Sequence, residues 1–403
     1  MANKALTSEE IFSLDSNYVT KTYARSPVAL VRGEGAVAFD PEGRRFIDFG
    51  SGIGVNSFGF CDAEYVSAVT DQLSAIQHCS NLYYTEPCAR LAELLCEKSG
   101  MKRVFFGNSG AEANEGAIKI IRKYAHDRYG DERSMIVTLK NSFHGRTITT
   151  LAATGQDVFH TDFGPFPAGF EYADMDSDSI LALLSRKDCA GILVETVQGE
   201  GGVNAVPGEL LELIDRVTKE NDQLFAVDEV QTGCGRTGRF FSYQHYGIKP
   251  DVVTAAKGLG GGLPIGAVLV GERAEDTLSP GKHGSTFGGN PVCCAGALSV
   301  VGRMDEAFLA DVRARADKMR ALLAAIPQVA SLSGLGLMIG VTLDPALDIK
   351  TPDVLAACRE RGLLVLSAKT KIRMLPPLNI SDEAIEDGSR ILAEVCAELS
   401  AAK

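Results

Sequence analysis

Basic residues are scarce relative to acidic ones: 40 Lys and Arg stand against 52 Asp and Glu in the 403-residue chain, a formal net charge of −12. Such a field repels phosphate backbones and anionic membranes, which argues against nucleic acid or a lipid surface as a partner and in favour of small ligands. No run approaches the roughly 20 apolar residues of a membrane helix, and the opening Met1-Ala2-Asn3-Lys4-Ala5-Leu6-Thr7-Ser8-Glu9-Glu10 has no apolar stretch of the signal-peptide kind. The expected location is cytoplasmic. Ten cysteines occur without a C-x-x-C pair or a Cys/His cluster of zinc spacing, so no metal site is expected and the thiols read as buried and reduced. Tryptophan is absent, which excludes nothing about function, and no internal repeat, low-complexity tract or block of like charge interrupts the chain.

The chain is instead 45% hydrophobic and 23% charged, the balance of a folded globular protein. Its length suits two domains at roughly 100–200 residues each. Short apolar runs alternate with helical patterns through the middle: Val104–Phe106, Met135–Thr138, Gly191–Val194, Leu224–Val227, Val252–Thr254 and Ala267–Val270. That alternation predicts an α/β domain with a mostly parallel sheet covered by helices on both faces. Ala36–Phe39 and Arg45–Phe49, separated by the turn Asp40-Pro41-Glu42-Gly43, predict an antiparallel hairpin. Beyond about residue 300 the pattern predicts a long helix through Met319 and Leu323, short strands near Gly336–Leu343 and Ile372–Leu375, and a final helix. The two ends are expected to form a smaller domain together, from residues 1–55 and 301–403, around a large domain of residues 56–300.

Five segments carry polar chemistry at positions where such a sheet places ligands. Gly107-Asn108-Ser109-Gly110-Ala111-Glu112 follows a strand and opens a helix; free N–H groups and the helix dipole favour an anion there, and Gly110 allows close approach, while Ser109 equally serves as an ordinary cap. Asn141-Ser142-Phe143-His144-Gly145-Arg146 offers a ring for stacking and a guanidinium for a two-pronged carboxylate grip. Asp228 ends a strand and opens Asp228-Glu229-Val230-Gln231-Thr232-Gly233; an acid there suits a protonated ring nitrogen. Lys257 stands between an apolar strand and the turn Gly258-Leu259-Gly260-Gly261-Gly262, a place for a desolvated amine that condenses with an aldehyde. His283-Gly284-Ser285-Thr286-Phe287-Gly288-Gly289-Asn290-Pro291 adds hydroxyls and small residues able to complete a phosphate cup. The glycines after Lys257 match neither G-x-G-x-x-G nor the P-loop, which weakens a nucleotide-binding reading.

Taken in order, these segments resemble the class III aminotransferases of the fold-type I pyridoxal-phosphate (PLP) enzymes, a family that includes acetylornithine, ornithine and 4-aminobutyrate aminotransferases. The resemblance runs from about Tyr23 to the C-terminus and is nearest to the acetylornithine members. It implies a homodimer with shared active sites, PLP held as a Schiff base by Lys257, and Asp228 against the pyridine nitrogen. It further implies Phe143 and Val230 on the two ring faces, Gln198 near the ring hydroxyl, Ser109, Gly110 and Ala111 around the phosphate, and Thr286 reaching the phosphate of the neighbouring subunit. For substrates it implies Tyr23 as a contact, Arg146 and Arg373 as carboxylate clamps, and Glu195 as the acid that covers Arg373. The implied activity is ping-pong transfer of an amino group from N2-acetylornithine to 2-oxoglutarate, as in arginine biosynthesis. Ornithine, N-succinylornithine or 4-aminobutyrate are alternative donors, and an aminomutase of the glutamate-1-semialdehyde type is a more distant alternative. Two departures stand out: Gly59-Phe60-Cys61-Asp62-Ala63 replaces the usual Gly-His-x-His-Pro, and Thr196 replaces a common proline.

Overall fold

A run of apolar residues buried on both sides of a strand needs cover above and below, and the central sheet has both. The computed structural model describes residues 5–401; residues 1–4 and 402–403, which begin and end the two outer segments and include part of the N-terminal stretch assessed for a signal, lie outside them. Seven strands lie in the order Arg103–Gly107, Gly266–Val270, Val252–Ala255, Leu224–Asp228, Cys189–Val194, Met135–Leu139 and Phe170–Ala173. All are parallel to their neighbours except Gly266–Val270, which runs antiparallel to both of its partners. Phe170–Ala173 was not among the runs expected from the sequence, because four residues of mixed polarity at a sheet edge carry too little periodicity to stand out.

Alternate residues of each strand feed two separate cores. Ile192, Val194, Phe225, Val227, Val253 and Leu269 pack on one face, while Leu193, Leu224, Ala226, Val252 and Val268 pack on the other. The second face is covered by the helix Gly110–Tyr129, whose Ala113, Ala117, Ile121 and Tyr124 recur at helical spacing and are buried. The first face is covered by Glu86–Ser99 through Leu91 and Leu95, by Ser177–Leu184 and by Gly208–Glu220 through Leu210, Leu211, Ile214 and Val217. Because neighbouring parallel strands point the same way, their carboxyl ends at Asp228, Ala255 and Val194 open on one edge of the sheet, and the loops that follow them meet there.

The N-terminal hairpin Val37–Phe39 and Arg45–Asp48 is present, with Arg32–Glu34 added antiparallel on one side and Leu363–Leu364 added in parallel on the other. A strand from beyond residue 360 thus completes a sheet begun before residue 40. A second four-stranded sheet holds Val329–Ser333, Ile339–Leu343, Lys371–Met374 and Leu366–Ala368, all antiparallel, and the helices Glu306–Ala324, Thr351–Glu360 and Asp382–Ala401 lie around it. The departure at Phe60–Ala63 is accommodated locally. Asp62 caps the helix Ala63–Ala75 by accepting from the Tyr65 amide at 2.9 Å and pairs with Arg303 at 2.9 Å, while the backbone of Phe60 bridges to Gly35. Of the ten cysteines, Cys189, Cys234, Cys294, Cys358 and Cys396 are buried, Cys79, Cys88, Cys96 and Cys293 are half-buried and Cys61 is exposed, so the expectation of buried thiols holds for half of them. No group of residues arranged to hold a metal ion occurs among the described residues, and no helix there is long and apolar enough to cross a membrane.

The two chain ends also meet side chain to backbone: a Cβ added at Gly388 of the last helix would collide with the Cζ of Phe49, which is fully buried. Gly388→Ala is therefore expected to lower the unfolding free energy by about 1–3 kcal/mol, the usual range for overpacking, despite alanine's better helix propensity. Chemical denaturation of the two proteins side by side tests it; a stabilised variant would show that the helix can shift away from Phe49 at no cost.

Candidate active site

Asp228 is the last residue of the strand Leu224–Asp228 and only 3% exposed. A buried carboxylate must be met by donors, and three reach it. Asn114 Nδ2 donates at 2.7 Å and His144 Nδ1 at 2.8 Å to one oxygen, and the Val230 amide donates at 3.0 Å to the other. Asn114 lies one turn inside the helix that begins at Gly110, so it faces the sheet edge; its own carbonyl accepts from Thr254 on the next strand at 2.7 Å, and it also donates to the His144 carbonyl at 2.7 Å. With the His144 proton on Nδ1, its buried Nε2 is a bare acceptor without a partner among the described residues.

Asp228 and Lys257 line the same cavity, of about 590 Å³, together with Ser109, Gly110, Ala111, Asn114, Phe143, His144, Arg146, Glu195, Val230 and Gln231, and with Tyr23 at its mouth. Lys257 is half-buried and has a φ of +46°, a left-handed conformation uncommon for a long side chain and characteristic of positions held in place by their surroundings. Burial pushes its amine below the ordinary lysine range; the Glu200 carboxylate opposes that and the Arg373 charge adds to it. Ser109 caps the helix Gly110–Tyr129, accepting from the Glu112 amide at 3.1 Å, so both readings of that turn hold at once: the side chain caps, while the first amides of the helix have no acceptor within it. A Cβ at Gly110 would come within 2.6 Å of Val230 Cγ1, filling the space between the helix start and the cavity wall.

The residues present fit a planar pyridine aldehyde bearing a phosphate. A buried carboxylate stands where a ring nitrogen needs an anion, a desolvated amine lies in the same cavity, an aromatic ring and a valine line its walls, and a helix N-terminus closes it.

Three of the residues assigned from the sequence, Gln198, Arg373 and Thr286, lie outside the cavity lining, and a fourth, Glu195, lines it with partners other than Arg373. Gln198 is buried with its amide donating to the Lys140 carbonyl at 2.8 Å and does not line the cavity; Gln231, three residues after Asp228, does. Glu195 does not cover Arg373. Its carboxylate accepts from the Phe143 and Gly199 amides at 3.0 and 3.2 Å, and burial, reinforced by the nearby Asp228, raises its pKa well above the usual carboxylate range. The acid on Arg373 is Glu200, with Arg373 Nη1 2.5 Å from Glu200 Oε1, Nη2 3.3 Å from Oε2, and Gln231 Oε1 accepting from Nη1 at 3.2 Å. Burial alone would raise the Glu200 pKa, but the Arg373 charge and its hydrogen bonds outweigh that and hold it below the ordinary value. Arg373 itself is buried behind the cavity wall, on the strand Lys371–Met374. Thr286 is exposed and lines a separate depression with Asn108 and Phe287. Asn114, His144, Glu200 and Gln231 were legible only as neighbours of assigned residues; the helical spacing of Asn114 from Gly110 was the one positional signal.

The family model for aminotransferase class-III matches residues 18–396. Acetylornithine aminotransferase of Haemophilus ducreyi is 51% identical over 98% of this chain and 100% of that protein, and that of Methanocaldococcus jannaschii is 40% identical over 98% and 100%. Among solved structures, ornithine aminotransferase from Toxoplasma gondii superposes with a TM-score of 0.92 at 32% identity, covering 99% of this chain and 97% of that one. N-acetylornithine aminotransferase from Stenotrophomonas maltophilia superposes with a TM-score of 0.84 at 34% identity, covering 97% and 100%.

Glu229, next to Asp228 but turned away from the cavity, is buried and holds the following loop by accepting from the Thr232 hydroxyl at 2.5 Å and the Tyr243 amide at 2.8 Å. Burial lifts its pKa from 4.5 to about 7, against the opposing pull of those bonds. Between these values the folded chain binds a proton that the unfolded chain has released, so this contribution to stability is present below about pH 4.5 and lost as the pH rises through about 7. Glu229→Gln removes the loss. Its unfolding free energy relative to the wild type is expected to shift in its favour by roughly 1–3 kcal/mol between about pH 5 and pH 8. Denaturant titrations at both pH values measure the shift, and parallel pH profiles would refute it.

Proposed function

The chain belongs to the class-III aminotransferases, and from that premise we propose that it moves the side-chain amino group of N2-acetylornithine to 2-oxoglutarate. It is a PLP-dependent transaminase. When bound, PLP supplies an aldehyde that takes up the amine and a ring that withdraws electrons from the reacting carbon. Asp228, oriented by Asn114, His144 and the Val230 amide, is proposed to meet the ring nitrogen, with Phe143 and Val230 on the ring faces and the Ser109–Ala111 turn at the phosphate. Gln231, which lines the cavity where Gln198 does not, is proposed to stand near the ring hydroxyl. Lys257 Nζ, whose hold on its proton burial weakens, would be the attachment point and would then carry the proton to and from the substrate carbon that bears the amine.

The observation that carries the substrate reading is the unequal state of the two arginines. Arg373 is engaged by Glu200 and Gln231, whereas no hydrogen bond or ion pair among the described residues occupies the guanidinium of Arg146 at the cavity. A donor with one carboxylate, such as N2-acetylornithine, is gripped by Arg146 while Glu200 stays on Arg373. A dicarboxylate such as 2-oxoglutarate displaces Glu200 and uses both arginines. The preference for the acetylated donor is supported by the relatives at 40–51% identity. Ornithine, N-succinylornithine and 4-aminobutyrate are the donors against which it must be tested.

The active unit is proposed to be a homodimer. Thr286 stands outside the Lys257 cavity, and Asn81 Nδ2 holds the surrounding loop through the Ser285 and Gly288 carbonyls at 2.9 Å each. Leu82, Tyr83, Tyr84 and Phe287 around it are 60–103% exposed, an apolar surface that a second copy would cover while bringing Thr286 to its neighbour's phosphate. Sedimentation is expected to show a dimer, and Tyr84→Glu to yield monomers that bind PLP more weakly; a wild-type monomer with full PLP affinity would refute this assembly.

The donor is tested in a single half-reaction, with N2-acetylornithine, ornithine and 4-aminobutyrate each added to the PLP form without oxo-acid and the visible chromophore followed. N2-acetylornithine is expected to bleach it fastest and Lys257→Ala to lack it. A faster amine among the others would overturn the donor, and a full chromophore in Lys257→Ala would overturn the role of the lysine. Glu200→Gln, which leaves Arg373 without its counter-charge, is expected to raise the kcat/KM ratio of glutamate to N2-acetylornithine by roughly ten- to a hundredfold, the equivalent of a charged hydrogen bond no longer displaced. An unchanged ratio would refute Glu200 as the cover.

A further inference from the structure

Arg146 stands on an exposed turn, where a long cationic side chain normally samples many rotamers and loses that freedom on gripping a ligand. Its guanidinium is nevertheless placed. The central carbon lies 4.3 Å from the centroid of the Phe159 ring and 5.4 Å from that of Phe143, and the two rings meet edge to face at 5.9 Å. Phe143 belongs to the cavity wall, but Phe159 does not; it sits on the single turn Asp157–Phe159, fixed by its amide donating to the Gln156 carbonyl at 3.0 Å. A planar guanidinium that contacts aromatic rings spends its π faces on them and keeps its in-plane N–H donors free. That differs from Arg373, whose donors are taken by an acid and an amide.

We infer that Phe159 is a positioning residue for the substrate carboxylate, holding the Arg146 guanidinium at the cavity with its hydrogen-bonding edge open. The inference rests on the reading of Arg146 as the carboxylate clamp. It gives the turn Asp157–Phe159 a task in substrate selection although none of its residues lines the cavity. Arg146 is then ordered before the substrate arrives, and binding loses less side-chain entropy than an unsupported arginine would demand.

The test uses the PLP-loaded enzyme and two ligands that separate carboxylate from acyl chain. N2-acetylnorvaline keeps the carboxylate and acetyl group but has no reactive amine, so calorimetry reports its binding without turnover. N-acetylputrescine keeps the reactive amine and acetyl group but has no carboxylate, so its half-reaction reports the rest of the site. Phe159→Leu, which retains apolar bulk without a ring face, is expected to weaken N2-acetylnorvaline binding by roughly three- to fivefold and to raise KM for N2-acetylornithine by a similar factor with kcat little changed. Phe159→Tyr should restore both values, and the N-acetylputrescine half-reaction should be the same in all three proteins. Arg146→Met, the control for the parent reading, should weaken N2-acetylnorvaline by roughly tenfold or more. If Arg146→Met weakens binding and Phe159→Leu does not, Phe159 has no positioning role and the clamp stands. If Arg146→Met has no effect either, the clamp itself is wrong and the inference falls with it. Loss of the N-acetylputrescine reaction in Phe159→Leu would mark a general structural defect and overturn the inference as well.

Discussion

The buried carboxylate of Asp228 is the constraint around which the rest of the site is arranged. An acid at 3% exposure costs several kcal/mol unless donors replace the water it has lost, and no single element at the sheet edge could supply enough of them. The donors come from separate parts of the chain: Asn114 from the covering helix, His144 from the loop after Met135–Leu139, and the amide of Val230 from the loop after the strand itself. Thr254, on the neighbouring strand, fixes Asn114 in turn. Satisfying one carboxylate therefore locks the helix start, two loops and two strands to a common register. The same register sets the positions of Ser109, Phe143 and Lys257.

A second constraint acts across the sheets. Arg373 is carried by the C-terminal antiparallel sheet and Glu200 by a loop of the central region, so their ion pair joins parts of the chain more than 170 residues apart. The pair is buried on the arginine side and half-buried on the acid side. Arg146 has the opposite character, exposed and, among the described residues, held by rings alone. On the proposed reading, a site built from one occupied and one open cation would distinguish one carboxylate from two by the work needed to reach the second, with no change of fold.

The outer segments follow the same economy of elements. Neither the N-terminal hairpin nor a two-residue strand at Leu363–Leu364 could stand alone, since a short strand pair buries too little apolar surface. Their pairing, and the close approach of Gly388 to Phe49, tie the two ends of the chain together.

Much of this was legible in the chain. Continuous apolar runs bounded by turn residues marked six of the seven central strands, five of them interior strands buried on both faces and the sixth, Arg103–Gly107, an edge strand with an apolar Val104–Phe106; the seventh, Phe170–Ala173, is of mixed polarity and lacks that signature. Lys257, Asp228, Phe143, Arg146 and the Ser109–Ala111 turn could be singled out because each stands at or soon after a strand end, and strand ends in such a sheet converge. What the sequence could not decide was which of two similar side chains, Glu195 or Glu200 on one loop and Gln198 or Gln231 on two different loops, meets a given partner. Glu195 and Glu200, and likewise Gln198 and Gln231, are equivalent as residue types, and only the path of the backbone through Thr196–Gly202 sends Glu195 to amides and Glu200 to Arg373. Thr286 likewise is exposed and outside the Lys257 cavity, a placement that its neighbours in the sequence do not announce. Composition and periodicity determine what can be buried; direction and partnership are properties of the assembled three-dimensional chain.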